Sequence, residues 1–336
     1  MTTDTTPRPG SGFNHIVAFE VAKAELVVHC LPAGTTTRLA NARPAVRRLL
    51  KAEMKRNAAQ QLGPLLVVCE ATGGYERTAI EAAAALGLAC HRAHGSAVRA
   101  YARFCGTHAK SDPIDARMLA GYGRDKEDLR LHRPPRPEQA ALRELTARRA
   151  DLVQMIGAER CRLEQARLGN VVKSITAHLK ALEKERARIE AEIAALMAGD
   201  GDFAAKNRLM QSFAGVGPVT AATVLAYLPE IGQVPRGTIA ALAGLAPYDR
   251  DSGKMSGARH IFAGRAEVRT CLRMAAVSAM RCNPAMRAFA ARLTRAGKPY
   301  GVVATAVMRK IITILNAMIA EGQPWKGANL ACNPTR

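Results

Sequence analysis

The run Leu65-Leu66-Val67-Val68-Cys69-Glu70 is apolar until its last residue, which is a carboxylate. Such a run suits a strand buried on both faces. An acid at the end of a buried strand needs compensation, because ionised groups are costly away from water. A second apolar run, Ile16-Val17-Ala18-Phe19-Glu20-Val21, carries Glu20. Leu26 to Leu31 reads as its hairpin partner across the short Ala22 to Glu25 turn, and Thr35 to Leu39 as a third strand. Helix patterns follow over 42–57, 76–86 and 96–104, with a further short strand over 88–92. Hairpin strands followed by alternating helix and strand predict a mixed sheet with helices packed on it.

Asp112 and Asp115 follow in Lys110-Ser111-Asp112-Pro113-Ile114-Asp115, three residues apart and so on one helix face. Pro113 fits the first turn of that helix, and Ser111 or Asp112 is placed to cap it. Four carboxylates, Glu20, Glu70, Asp112 and Asp115, would repel one another unless a cation neutralised them. Mg2+ takes oxygen ligands and acts in phosphoryl chemistry, so these four are the candidate metal ligands and catalytic acids. The plain alternative is solvated surface acids and a helix cap.

The chain has 336 residues, enough for two or three domains. It holds 49 Lys and Arg against 28 Asp and Glu, a net charge of +21, which favours a polyanionic partner. Aromatic residues make up only 4%, which argues against single-strand recognition by stacking. Eight cysteines are scattered with no Cys-x-x-Cys pair, as expected for reduced thiols and not for structural zinc. The opening Met1 to Gly12 lacks an apolar secretory core, and no apolar stretch is expected to approach membrane-spanning length, because Arg309 and Lys310 interrupt the most apolar C-terminal one. No membrane partner is expected, and the expected location is the cytoplasm.

The proposed division is a sheet domain over 13–128, a basic proline-rich linker over 129–137, a helical arm over 138–200, a C-terminal domain over 201–322 and a tail over 323–336. In the arm, Leu145, Leu152, Ile156 and Leu163 form one heptad-like series. Ile175, Leu179, Leu182, Ile189, Ile193 and Leu196 form a cleaner one, with Arg186 among them. Gly169-Asn170 breaks the register, which predicts two helices. Their seam fits either an intramolecular hairpin or a coiled-coil dimerisation arm, and the dimer arm is the expectation.

Gly215-Val216-Gly217-Pro218 opens an apolar helix and resembles half of a helix-hairpin-helix, whose backbone N–H groups hold a DNA phosphate. A plain helix-start turn fits equally. A glycine-punctuated loop from Gly244 to Gly257 contains Arg250, Ser252, Lys254 and Ser256. Arg259, Arg265, Arg269 and Arg273 follow, the last three at four-residue spacing on one helix face. Lys110, Gly215, Gly217, Arg250, Lys254 and these four arginines are the candidate nucleic-acid contacts. Ser252 and Ser256 are equivalent by composition, and either also reads as a turn residue.

In this order, the blocks Val17–Lys23, Cys69–Tyr75, Lys110–Ala116, Gly215–Pro218 and Ala246–Gly253 resemble the DEDD transposases of bacterial insertion sequences. That family includes RNA-guided bridge recombinases and a Piv-type DNA invertase. The resemblance runs from about residue 14 to residue 322. It implies an α/β domain of the RuvC-like, ribonuclease-H type carrying Glu20, Glu70, Asp112 and Asp115, then a coiled-coil arm and a mainly helical transposase domain. It singles out Ser252 as the nucleophile that bonds to DNA. It further implies double-stranded donor and target DNA, a structured guide RNA, and a homodimer that assembles to a tetramer.

Two departures stand out. The first acid of the family tetrad is Asp, and here it is Glu20, one methylene longer in a site where Mg2+ tolerates little misplacement. Ala263-Gly264 stands where the family often has two glycines. The expected activity is therefore a transposase or site-specific recombinase working through a serine-linked intermediate. The alternatives are a metal-dependent junction nuclease using only the first domain, and a weakened nucleic-acid-binding copy.

Overall fold

The computed structural model describes residues 12–248, 257 and 259–326. It divides into two compact units, 1–134 and 135–336.

The first unit runs β1 (His15–Val21), β2 (Glu25–Leu31), β3 (Thr35–Ala40), α1 (Arg43–Gln60), β4 (Leu65–Glu70), α2 (Arg77–Ala85), β5 (Ala89–Ala93), α3 (Gly95–Phe104) and α4 (Asp112–Asp125). The sheet order is β3-β2-β1-β4-β5. β1 pairs antiparallel with β2 and parallel with β4, and β4 pairs parallel with β5. Alternation along the strands divides the core. Val17, Phe19, Val67 and Cys69 pack with Val46 and Leu50 of α1 and Ile80 of α2. Ile16, Ala18, Leu66 and Val68 pack on the other face with Val98 of α3 and Leu119 and Tyr122 of α4. The central strands are apolar on both faces because both are covered. Gly123 brings α4 close to the sheet, since a Cβ there would fall 2.6 Å from Val68 Cγ2. A mixed five-stranded sheet of this order is compatible with a ribonuclease-H-like fold.

The proline-rich run after α4 is not a free spacer over its first half. Leu129 packs on the α4 side of the sheet. The His132 N–H donates to Cys90 O at 2.6 Å, and His91 Nδ1 lies 2.9 Å from Arg130 O. The sequence pattern showed the prolines but not these ties to β5.

The second unit is helical: α5 (Pro137–Gln165), α6 (Gly169–Gly199), α7 (Gly201–Gln211), α8 (Pro218–Tyr227), α9 (Arg236–Leu242), a two-stranded hairpin of β6 (Pro247–Tyr248) and β7 (His260–Ile261), α10 (Ala266–Cys282), α11 (Pro284–Arg295) and α12 (Tyr300–Glu321). α5 and α6 form an antiparallel hairpin, the alternative to the dimer arm. Leu179, Leu182, Ile189 and Ile193 of α6 are buried with Leu152 and Ile156 of α5 in one core that continues into the later helices. Two polar residues of α5 also find partners inside the chain, with Arg149 Nε donating to Glu190 at 2.8 Å and Glu159 meeting Arg162 and His178. Burying four such aliphatic side chains contributes roughly 6–12 kcal/mol before entropy costs. The seam thus has its partner within the hairpin, and a coiled-coil dimer does not follow from it. Gln139, buried in α5, donates to the carbonyls of Leu225 and Ala226 at 2.6 and 2.8 Å, satisfying groups left open at the end of α8.

α12 corrects the expectation that no apolar stretch approaches membrane-spanning length. Its 22 residues are long and apolar enough by length and composition. Here Val303, Val307, Ile311, Ile312 and Leu315 are buried in the core of the second unit.

Candidate active site

Glu20 and Glu70 lie next to each other on neighbouring strands. Phe19 and Cys69 are register partners across the parallel β1–β4 pair, and each acid is the next residue along. By alternation both side chains take the face of Ile16, Ala18, Leu66 and Val68, the face that α4 covers. α4 begins at Asp112, and Asp112 and Asp115 occupy its first turn. Helix N-termini favour negative charge, by about 0.3–1 kcal/mol per group. The Ser111 side chain makes no capping hydrogen bond, and the Asp115 N–H instead donates to Ser111 O at 2.8 Å.

The four acids sense one another. Burial, then repulsion from Glu70, Asp115 and Asp112, pushes the Glu20 carboxyl up to about 7, with Lys110 opposing the shift. Burial also raises Asp115, with Asp112 adding to the rise and Lys110 and Arg99 working against it. Among the described residues no three His, Cys, Asp or Glu side chains form a ready-made metal-binding group. The chemistry of the donors nevertheless fits a hard divalent cation. All four are carboxylates, and the strained ionisation of Glu20 is what a cation would relieve.

This electrostatic state has a measurable consequence in metal-free protein. The folded Glu20 carboxyl is raised above its ordinary value of 4.5 to about 7, so the folded chain keeps a proton that the unfolded chain releases. Its contribution to stability is full below pH 4.5 and is lost as the pH rises towards 7. Thermal melts should show wild type losing more stability between pH 5 and pH 8 than Glu20→Gln. Parallel curves for the two would refute the raised Glu20 carboxyl.

The sequence reading missed three supporting positions. Gly95, the first residue of α3, packs against Glu70: a Cβ there would overlap the Glu70 carboxylate and lie 3.5 Å from Arg99 Nη2. Gly95→Ala should push Glu70 aside at little cost to the fold, because only a flexible side-chain end must move. Cleavage should fall roughly ten- to hundredfold with stability changed by less than about 1 kcal/mol. Kinetics and melts on one preparation test this, and unchanged cleavage would show that Glu70 has no need of its position. Arg99 brings positive charge to the same acids. Glu76 is buried behind the turn after β4 and accepts from Thr72 N–H at 3.2 Å and Gly74 N–H at 2.8 Å. It also pairs with Arg92 at 2.7 Å. Burial resists its ionisation, but these donors and Arg92 outweigh it and hold the carboxyl below the ordinary value. Sequence could have raised Glu76 only through its place after a glycine turn.

In the second unit, Arg250, Ser252, Lys254 and Ser256 lie outside the described residues. In the sequence they fall between β6 and β7. The arginine row is not a free stripe. Arg265 precedes α10 and makes a two-pronged pair with Glu230, both contacts at 2.6 Å. Arg269 donates to Ala263 O at 2.8 Å, while Arg273 is exposed. Arg259 is exposed beside β7. Gly215 serves packing, since at φ 109° its Cα lies against α10 and a Cβ would fall 2.6 Å from Ala279 Cα. Gly217 caps α8, with open space where a Cβ would be. Ala263 adopts φ 58°, a left-handed conformation that costs a non-glycine residue about 1–2 kcal/mol.

The sheet topology is compatible with a ribonuclease-H-like fold, and the comparisons with known proteins define the class: an enzyme that recombines DNA. A DEDD-type transposase model matches residues 18–168, and a model for the transposase IS116/IS110/IS902 family matches residues 207–291. The chain belongs to the IS110-type transposase family. Its relatives include the pilin gene-inverting proteins of Moraxella lacunata and Moraxella bovis. Each is 29% identical over 235 residues, covering 68% of this chain and 71% of the relative. An uncharacterized 43.6 kDa protein of insertion element IS110 from Streptomyces coelicolor is 29% identical over 154 residues, covering 45% and 37%. The family acts on DNA and generally depends on a divalent metal.

Proposed function

We propose that this chain cuts and rejoins DNA through a covalent bond to Ser252, with Glu20, Glu70, Asp112 and Asp115 holding Mg2+. The observation that supports this best is the pairing of Glu20 and Glu70 on one sheet face, the face covered by the helix that carries Asp112 and Asp115. A bound divalent cation would neutralise the acids and stabilise charge on phosphoryl oxygens. In the covalent step the Ser252 Oγ–P bond forms and the P–O bond to one strand segment breaks. The serine proton ends on the departing strand oxygen. Arg250, Lys254, Arg259 and Arg273 supply positive charge along the strand, and Lys110 does so beside the carboxylates. Arg265 and Arg269 would contribute only by leaving their internal partners. The Gly215–Gly217 turn offers the start of α8 to a phosphate.

The substrates on this reading are double-stranded donor and target DNA, chosen by pairing with a structured guide RNA. The working form is a homodimer assembling to a tetramer, and the location is cytoplasmic. The deciding experiment incubates protein, Mg2+ and element-end DNA with the flanking noncoding RNA. The mixture is then denatured and searched for DNA bound to protein. An adduct mapped to Ser252 supports the reading. Mg2+-dependent cleavage without an adduct favours the junction nuclease, since the carboxylates and the serine loop belong to different units. A folded protein that binds but never cuts favours the weakened copy.

A further inference from the structure

The β6–β7 hairpin, α9, α11 and α12 enclose a cleft of about 810 Å³, within the ~300–1,000 Å³ typical of ligand sites. Its long wall is one stripe of α12: Val302, Thr305, Ala306, Arg309 and Thr313. These follow helical spacing and are distinct from the buried stripe of Val303, Val307, Ile311 and Leu315. Small side chains at Thr305 and Ala306 keep the wall open, and Val302 is 52% exposed. Ile261 and Phe289 add apolar surface. Arg236, Arg259, Arg309 and Lys310 line the same space, and among the described residues no Asp or Glu does. Lys310 Nζ sits 4.7 Å from the centre of the Phe289 ring, which holds that cation at the wall.

An apolar floor with a cationic rim fits a ligand that alternates anionic and apolar parts. A small inorganic anion would make no use of the floor, and an apolar ligand none of the rim. Phosphates with sugars and bases between them use both. Pro247, His260 and Ile261 of the hairpin line the cleft. Ser252 is five residues beyond Pro247. That limits it to about 18 Å from Pro247 whatever path the chain takes, the span of a few nucleotides.

We infer that this cleft holds one or two unstacked nucleotides of the DNA strand beside the phosphate attacked by Ser252. Arg236 and Arg309 take the phosphates, and Ile261 and Val302 carry the sugar and base. The place in the reaction rests on Ser252 as nucleophile; the binding does not. None of the sequence-derived contacts includes Arg236 or Arg309.

The test uses full-length Ser252→Ala protein, so that covalent capture cannot contribute. The probe is a fluorescein-labelled 12-nucleotide single-stranded DNA containing 4-thiothymidine. Crosslinks are expected on peptides bearing Ile261 or Val302. Replacing both Arg236 and Arg309 with Ala should weaken binding roughly tenfold. It should also flatten the slope of log affinity against log salt by about 1.4, two single-strand phosphate contacts at ~0.7 each. Lysine at both positions should restore most of the slope. Unchanged affinity and slope, or crosslinks confined to residues 1–134, would overturn the inference. A matched RNA strand that binds more tightly and responds equally to the variants would replace DNA with RNA. Absence of a Ser252 adduct in wild type counts against the serine mechanism alone, because these readouts need no chemistry.

Discussion

Ser252→Ala is expected to eliminate strand cleavage, by at least on the order of 10⁴-fold, while nucleic-acid binding stays within about twofold of wild type. The effect is large because, in the proposed mechanism, the hydroxyl is itself the attacking group. Without it no protein–DNA bond can form, and water in its place lacks both position and a route to rejoining. Ser256→Ala should be mild, since Ser256 shares the loop but not the matching place in the family pattern. A denaturing gel after incubation with labelled DNA shows the adduct, and peptide mass assigns it. Full strand exchange by Ser252→Ala, or an adduct on Ser256, would overturn the assignment. A silent wild type makes Glu20→Asp the control. Recovery of activity would locate the fault in the longer acid.

Glu70→Gln should divide activity from stability in opposite directions. With Glu70 in its proposed role as a metal ligand, loss of its charge should cost on the order of 10³-fold in cleavage, about 4 kcal/mol of barrier. The same change removes one of the three acids that repel Glu20. In metal-free protein the Glu20 carboxyl should then return towards its ordinary value, and the melting temperature at pH 8 should rise. At pH 5 the gain should shrink, because folded Glu20 is already protonated there. A variant that loses activity and stability together would point to a packing role for Glu70. One that keeps full activity would remove it from the site.

The first unit was legible because its constraints are local and periodic. Leu65 to Glu70 could only be a buried strand, the β1–β2 turn is short, and Asp112 and Asp115 share a face by helical geometry alone. Gly95, Arg99 and the Arg92 partner of Glu76 were invisible for the converse reason: these contacts form only after β4, β5 and α3 are placed side by side. The α6 seam was read correctly as apolar, yet periodicity does not say which surface covers it. That was decided when the chain reversed at 166–168 and laid α5 along the seam. Arg265 and Arg269 show the same limit, since four-residue spacing gives them a common face but not the Glu230 and Ala263 partners that occupy them. Sequence by itself determined the strands of the first sheet, the break between the two long helices and the family. Tertiary structure decided which apolar faces and which charges were already taken, because those choices depend on pairings between segments far apart in the chain.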